Sequence, residues 1–188
     1  MAIAGLMNPK KADNDVISVG GSKYFSTFYG YYMLEAMAMA GNYQGAMDRI
    51  SEYWGAMLDL GATTFWEQWN AITPDGEIRD PSMNHYAYGA IGNFLYRRIL
   101  GMEAIAGGYR KFRVKPLLGG GITWAKGHTH TAYGKTEVGW YVEKEQFHIH
   151  VTVPVSTECE LVMPSGKVYR ITSGQYHYSE KLGKECSI

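Results

Sequence analysis

The spacing of the apolar residues changes near Gly101, and this change constrains the fold more than any other feature of the sequence. Before it, from Ser22 onward, apolar residues recur every three or four positions, which is the period of an amphipathic helix. After it, apolar and polar residues alternate, which is the period of a β-strand with one buried face. The sequence therefore predicts a multidomain α-then-β fold, with helices in residues 1–115 and an antiparallel β-sandwich in residues 116–188.

Three helices are predicted in the first part of the chain. The first covers residues 22–40, and the second follows after a short Gly-Asn break and ends near Leu60. Because this break is so short, we expect the two helices to pack as an antiparallel hairpin. The third helix is expected over residues 82–100, with Asp80 or Ser82 as its cap.

A long connection without a helical period joins the second and third helices. Its stretch Gly61–Trp69 reads Gly-Ala-Thr-Thr-Phe-Trp-Glu-Gln-Trp, which sets one carboxylate, Glu67, between two indoles, Trp66 and Trp69. A carboxyl group beside large aromatic faces suits sugar chemistry, because indoles cover the apolar face of a pyranose while the acid acts on its polar edge. The alternative is that both indoles are core residues and that Glu67 is solvated.

His85 is the candidate binding residue of the third predicted helix. It shares one side of that helix with Tyr88, Gly89 and Gly92, and the small residues leave room for a ligand or for a close helix neighbour. A hydrogen-bonded packing role is the usual alternative for a single helical histidine. The residue types alone leave both roles open.

Two His-x-His pairs in the predicted strands raise a metal hypothesis. His128 with His130, or His148 with His150, would point to one face of a strand and could offer two imidazoles to zinc. The spacing implies no third ligand, and His148 and His150 fall on the solvent side of an alternating strand. We therefore predict no metal site and no cofactor.

Charge and composition argue against several classes of partner. Lysine plus arginine equal aspartate plus glutamate at 18 each, so we expect no binding to nucleic acid or to an anionic membrane. The 15 tyrosines and 5 tryptophans suit carbohydrate stacking, although they also suit a β-sandwich core. We expect no signal peptide and no membrane span in this chain, and Cys159 and Cys186 do not decide the redox compartment.

The motif around Glu67 resembles that of a known enzyme family. Together with Ser82–Gly89, which reads Ser-Met-Asn-His-Tyr-Ala-Tyr-Gly, and the glycine-rich run after Pro116, it is similar to the C-terminal part of the bacterial α-L-rhamnosidases of glycoside hydrolase family 78. The resemblance implies that the helices are the end of an (α/α)6 six-hairpin barrel that is followed by a β-domain. It also implies an inverting mechanism with Glu67 as the general base, His85 in contact with the bound rhamnose, and Asn84 as its orienting neighbour.

Under this resemblance Trp66 and Trp69 are candidate contacts of a rhamnose-containing glycoside or oligosaccharide. The general acid of the family lies in an upstream motif without a counterpart here, so we expect a C-terminal fragment that carries the base and has little activity alone. Its expected partner is the upstream half of the barrel, in the same parent chain or in a partner chain. Apolar faces without neighbouring helices would also favour a homo-oligomer. Two alternatives stay open: a non-catalytic carbohydrate-binding or structural module, and another six-hairpin glycosidase.

Overall fold

The computed structural model describes residues 1–20, 26–79 and 82–183. The chain divides into two compact units, a helical unit over Met1–Phe94 and a β unit over Leu95–Ile188. The predicted order of helices followed by β-sheets is therefore confirmed.

The division between the units differs from the predicted boundary at residues 115 and 116. Strands at Met102–Ala104 and Lys111–Val114 lie before that boundary; they pair with each other, and Lys111–Val114 also forms a ladder with a strand from the C-terminal part of the chain. The β unit consequently begins at Leu95, before residue 116, where the predicted β-sandwich begins.

Short helices and helical turns make up the helical unit. Its α-helices are α1 Pro9–Ala12, α2 Ser18–Gly20, α3 Thr27–Ala40, α4 Tyr43–Ile50, α5 Ala56–Asp59 and α6 Ile91–Phe94. Turns of π-helix at Asp13–Ile17 and Ser51–Gly55 connect α1 to α2 and α4 to α5, so the second predicted helix stays helical as far as Asp59. Among the helices of the described ranges, none is long and apolar enough to cross a lipid bilayer.

Helices α3 and α4 contact each other across the short break that the sequence predicts. The Ser26 hydroxyl accepts a hydrogen bond from the Tyr29 amide at 3.1 Å and caps the start of α3. Helix α3 ends at Ala40 and is capped by Gly41, whose φ of 85° lies in the left-handed region that favours glycine. The Asn42 side chain then accepts a hydrogen bond from the Gly45 amide at 3.0 Å and caps α4. The break therefore consists of the end of one helix followed directly by the cap of the next.

The third predicted helix begins later in the structure than the sequence predicts. A 3₁₀ turn at Tyr86–Ala90 leads into α6, and a π-helical turn at Leu95–Ile99 follows it. Ser82 is therefore not the cap of this helix, and Asp80 lies outside the described residues. The delay has a physical reason, because the Ser82 and Met83 carbonyls and the His85 amide form hydrogen bonds to the preceding connection and not within a helical turn.

The β unit contains two sheets. Its strands are β1 Met102–Ala104, β2 Lys111–Val114, β3 Trp124–Thr131, β4 Gly134–Glu143, β5 Gln146–Val153, β6 Glu158–Val162, β7 Val168–Ile171 and β8 Gly174–Lys181. In the part of the chain that the structure describes, one sheet has the order β1-β2-β6-β7 and the other the order β3-β4-β5-β8. The pair β2–β6 is parallel, whereas the predicted sandwich is antiparallel. The chain builds β3, β4 and β5 into the second sheet before it returns, so β6 reaches β2 by a crossover and not by a hairpin.

Inward-facing side chains of the strands form the core of the β unit. The largest of those that are almost completely buried are Phe112, Val114, Val138, Trp140, Phe147, Ile149, Val151 and Leu161. Trp140 is 2% exposed, and its indole N–H donates a hydrogen bond to the Ile99 carbonyl at 2.9 Å, so the polar atom of the ring is satisfied inside the core. The strand pattern also assigns Trp124 to the core or to an interdomain contact, but Trp124 is 67% exposed and is not part of this core.

The Trp140 hydrogen bond predicts a specific loss of stability. We expect Trp140→Phe to destabilise the β unit by at least about 2 kcal/mol, because the substitution leaves a buried carbonyl without a donor and removes packed volume. The matched control is Trp124→Phe at the exposed position, which should change the stability by less than about 0.5 kcal/mol. Hydrogen exchange of the β5 amides measures both effects, and equal exchange rates in the two variants would contradict the role of the bond.

The core also holds Cys159, and its burial predicts an unreactive thiol. Burial raises the pKa of the Cys159 thiol to about 12, so almost none of it is thiolate at neutral pH. In a Cys186→Ser background we expect no reaction of the folded chain with iodoacetamide and complete reaction after unfolding in urea. Mass spectrometry counts the modified thiols, and stoichiometric labelling of the folded variant would show that the site opens to solvent.

Candidate functional site

Residues 64–67 of the long connection run beside residues 82–85, and we call these two stretches the paired loop segments. Hydrogen bonds run from the His85 amide to the Phe65 carbonyl at 2.9 Å, from the Glu67 amide to the Ser82 carbonyl at 2.9 Å, and from the Thr64 hydroxyl to the Met83 carbonyl. The pairing places the backbones of the two predicted site residues, Glu67 and His85, in one small region of the helical unit.

Glu67 is held by both its backbone and its carboxylate. Its carbonyl accepts a hydrogen bond from the Thr27 hydroxyl at the start of α3, in addition to the bond from its amide to Ser82. Its carboxylate oxygen Oε2 accepts a hydrogen bond from the Ser82 amide at 3.3 Å. The side chain is half-buried, so it is held in place and still accessible from solvent. This is the combination that a base acting on a water molecule needs.

His85 lies opposite Phe65 in the paired loop segments and has an open hydrogen-bonding position. Its ring atom Nδ1 is buried and has no hydrogen-bond partner among the described residues. The ring is packed against Tyr88, with the ring centroids 4.2 Å apart, and against Tyr86 at 5.9 Å. A buried nitrogen without a partner is unfavourable unless a ligand or water meets it, so His85 is suited to bind a hydroxyl group.

Asn84 precedes His85 in the paired loop segments. Its side chain is exposed, and its amide donates a hydrogen bond to the Ser82 hydroxyl at 3.4 Å. The role of Asn84 as an orienting neighbour of His85 stays a prediction.

The two indoles beside Glu67 are packed against other side chains and are not fully exposed to solvent. Trp66 is 4% exposed and belongs to a buried cluster with Met57 and Ala71. Trp69 is half-buried against the same cluster and stacks on Tyr53, with the ring centroids 4.7 Å apart. This is the packing that the alternative interpretation of the motif predicts for the indoles, whereas contact of either ring with a sugar stays a prediction.

Other aromatic residues lie near His85, and of these the sequence suggests only Tyr88, which shares one side of the predicted third helix with His85. Phe28, Tyr32 and Tyr86 are exposed and Tyr88 is half-buried; we call these four residues the aromatic rim. Phe28 contacts both Tyr32 and Tyr88 with a centroid distance of 6.0 Å. The sequence could not assign Phe28 and Tyr32 to the surface, because α3 is apolar around most of its circumference and its period does not say which face is buried.

The histidine pairs of the β unit do not form a metal centre in the described residues. No group of three histidine, cysteine, aspartate or glutamate side chains in those ranges is placed to hold a metal ion. The rings of His128 and His130 lie 5.3 Å apart, and the ring of His150 stacks on His177 with a centroid distance of 4.2 Å. These contacts occur between side chains on the solvent face of the second sheet.

Two family models match the chain in sequence order. The bacterial α-L-rhamnosidase six-hairpin glycosidase domain matches residues 21–99, and the bacterial α-L-rhamnosidase C-terminal domain matches residues 101–178. Among curated proteins, the α-L-rhamnosidase of Streptomyces avermitilis is 35% identical over 121 residues, which are 63% of this chain and 12% of that protein. The α-L-rhamnosidase of Formosa agariphila is 34% identical over 115 residues, which are 60% of this chain and 12% of that protein.

Solved structures show the same arrangement of elements. The crystal structure of the Streptomyces avermitilis α-L-rhamnosidase complexed with L-rhamnose superposes with a TM-score of 0.83 at 25% identity, covering 92% of this chain and 20% of that chain. The native α-L-rhamnosidase of Aspergillus terreus has a similar fold, with a TM-score of 0.81 at 23% identity over 90% of this chain and 21% of that chain. This chain thus spans 12% of the length of the curated relatives and about a fifth of those solved chains.

The Thr27 hydrogen bond predicts that α3 helps to position the candidate base. We expect Thr27→Val to destabilise the paired loop segments by about 1 kcal/mol, because the Glu67 carbonyl loses a donor while the side-chain volume stays nearly the same. The Glu67 amide should then exchange with solvent about fivefold faster. Thr63→Val, at an exposed position in the same connection, is the control. Equal exchange of the Glu67 amide in both variants would contradict this positioning role.

Proposed function

This chain belongs to the bacterial α-L-rhamnosidase family, and on that premise we propose that it is the base-carrying part of a glycoside hydrolase that releases terminal α-L-rhamnose. The helical unit corresponds to the end of the six-hairpin glycosidase domain, and the β unit to the C-terminal domain that follows it. The observation that supports the proposal is the pairing of residues 64–67 with residues 82–85, in which Glu67 lies beside Ser82 and His85 beside Phe65, so that both backbones belong to one small region.

We assign the role of general base to Glu67. An inverting glycosidase activates a water molecule with one carboxylate while a carboxylic acid on the other side of the sugar protonates the departing oxygen. The Ser82 amide donates to Oε2 of Glu67 and holds that oxygen, which leaves Oε1 for the water. In the proposed geometry the water donates its hydrogen to Oε1 and attacks the anomeric carbon as the glycosidic bond breaks. The proton passes to Glu67, and the departing alcohol takes its proton from the acid.

The general acid is proposed to come from residues outside this chain. The two carboxyl groups of an inverting enzyme stand roughly 6.5–9.5 Å apart, which leaves room for the water. The chain spans 12% of the curated relatives that it matches, so the remainder of the barrel has ample length to supply the acid. We therefore propose that the isolated chain has little hydrolase activity.

We assign sugar binding to His85 and to the residues around it. The buried Nδ1 of His85 would exchange a hydrogen bond with a hydroxyl of the rhamnose ring, which satisfies the open position. The aromatic rim offers apolar surface to the C–H face of the sugar. Asn84 is exposed beside His85 and is proposed to orient it or to add a hydrogen bond to the ligand. Trp66 lies within the buried cluster and Trp69 packs against it, and we propose that both indoles support the backbone that carries Glu67.

The Glu67 assignment predicts the loss of turnover without the loss of binding. In the full-length parent protein, or in this chain assembled with the upstream part of the barrel, Glu67→Gln should lower kcat on an aryl α-L-rhamnoside by about 10²–10⁴-fold. The dissociation constant of L-rhamnose should stay nearly unchanged, because the amide has the same shape and keeps an oxygen for the Ser82 amide. Glu77→Gln is the matched control, since Glu77 is exposed in the same connection.

Three results would overturn the proposal. Turnover of Glu67→Gln at the level of Glu77→Gln would remove Glu67 from the mechanism. Formation of α-L-rhamnose as the first product, seen by proton NMR before mutarotation, would exclude an inverting enzyme. Binding of sugars without hydrolysis by the assembled protein would favour the alternative of a carbohydrate-binding module.

A further inference from the structure

The solvent face of the sheet β3-β4-β5-β8 carries an exposed pair of aromatic residues. Trp124 and Tyr141 are directly opposite each other in the β3–β4 ladder and are 67% and 38% exposed. The Tyr141 ring is stacked on His148 of the next strand, with a centroid distance of 4.6 Å and an angle of 10° between the planes. Exposing the apolar surface of a tryptophan to water is unfavourable, and a polar residue at the same strand position would avoid this free-energy cost.

A cavity of about 530 Å³ lies beside these rings. Its floor is Gly139, which faces solvent from β4 between Lys126 of β3 and His150 of β5. The glycine leaves a depression in an otherwise continuous face, because any side chain at this position would fill the space. The volume falls within the roughly 300–1,000 Å³ that is usual for small-ligand sites.

The walls of this cavity are polar and close to electrically neutral. Lys126 and Glu137 of the cavity wall form an ion pair at 3.3 Å, so their charges compensate each other; Glu137 also pairs with Lys135, which lies outside the cavity lining, at 2.5 Å. Burial, with smaller contributions from His177 and His148, lowers the pKa of His150. At neutral pH its imidazole is uncharged and offers one donor and one acceptor.

We propose that this cavity binds one pyranose ring of a neutral oligosaccharide. The indole of Trp124 and the ring of Tyr141 cover the apolar face of the sugar, while His150, Thr152 and the Lys126–Glu137 pair exchange hydrogen bonds with its hydroxyl groups. A phosphate or carboxylate ligand fits less well, because Lys126, the lysine that lines the cavity, is already paired with the Glu137 carboxylate, which would repel an anion. A protein partner also fits less well, because the centre of a protein interface is depleted of charged residues, whereas charged residues line this cavity.

The site is separate from the proposed catalytic function. All of its residues lie in the β unit, and Glu67 and His85 lie in the helical unit. The two proposals therefore fail independently. A sugar site in the β unit would bind one sugar ring of an oligosaccharide while a different ring of the same molecule is cleaved. This would raise the local concentration of the ring that is cleaved.

The test is a titration of the chain with methyl pyranosides, followed by the indole N–H signals of its tryptophans in NMR spectra. Trp124→Phe identifies the Trp124 signal. We expect methyl α-L-rhamnopyranoside, methyl β-D-glucopyranoside or methyl β-D-galactopyranoside to shift this signal and the Gly139 amide saturably. Trp124→Ala should weaken the binding by about tenfold, because it removes the stacking surface.

A second variant fills the cavity without disturbing the fold. A Cβ at Gly139 would lie 3.7 Å from the Lys126 side chain, which is an ordinary contact, so Gly139→Val is compatible with the strand. We expect this variant to keep the amide spectrum of the β unit and to lose the pyranoside shifts. Ser179→Val, on the same face of β8 but away from the cavity, is the matched control and should bind like the original chain.

Any of three results overturns the proposal. The first is an absence of saturable shifts at Trp124 with all three glycosides, which is also the result expected if another protein segment covers this face. The second is binding that survives in the folded Gly139→Val variant. The third is a response confined to Trp66 or Trp69, which would place the sugar in the helical unit and would support the proposed function while removing this second site.

Discussion

The candidate site depends on one constraint, which is that the backbones of Ser82, Met83 and His85 are hydrogen-bonded to residues 64–67 of the connection. These residues could have started the next helix only by giving up those bonds. The extended pairing is what delays the helix to Tyr86 and what fixes Glu67 and His85 relative to each other. The pairing of the two loop segments thus accounts both for the late start of the helix and for the arrangement of the candidate site. Functional sites are often found where the chain deviates from the structure that its local sequence favours.

Much of the fold follows from residue spacing alone. The helical period and the Gly41-Asn42 break predict α3 and α4, because each helix end has a residue suited to cap it. The alternating residues of β4 and β5 predict buried Trp140 and Ile149 correctly, since a strand with one buried face repeats every two residues. These elements depend on local preferences that a single sequence contains.

The features that the sequence does not predict depend on distant parts of the chain. Ser82 has the residue type of a cap, but its amide and carbonyl bond to Glu67, which is fifteen positions away and is invisible to a local pattern. Trp124 lies at an exposed position of the alternating strand β3, so its hydrophobicity alone misassigns it. The motif and the family resemblance make Glu67 a candidate site residue, whereas only the structure shows its hydrogen bonds to Thr27 and Ser82.

The parallel pairing of β2 with β6 has a consequence for the order of folding. The strands β3, β4 and β5 form consecutive hairpins, so each can pair as soon as its neighbour has left the ribosome. Val114 finds its partner Leu161 only after that whole meander has been synthesised, and closing so large a loop costs entropy before any contact repays it. We therefore expect the β3–β5 meander to act as the nucleus of the β unit, and the edge of β2 to stay unpaired, and open to association with other chains, until β6 arrives.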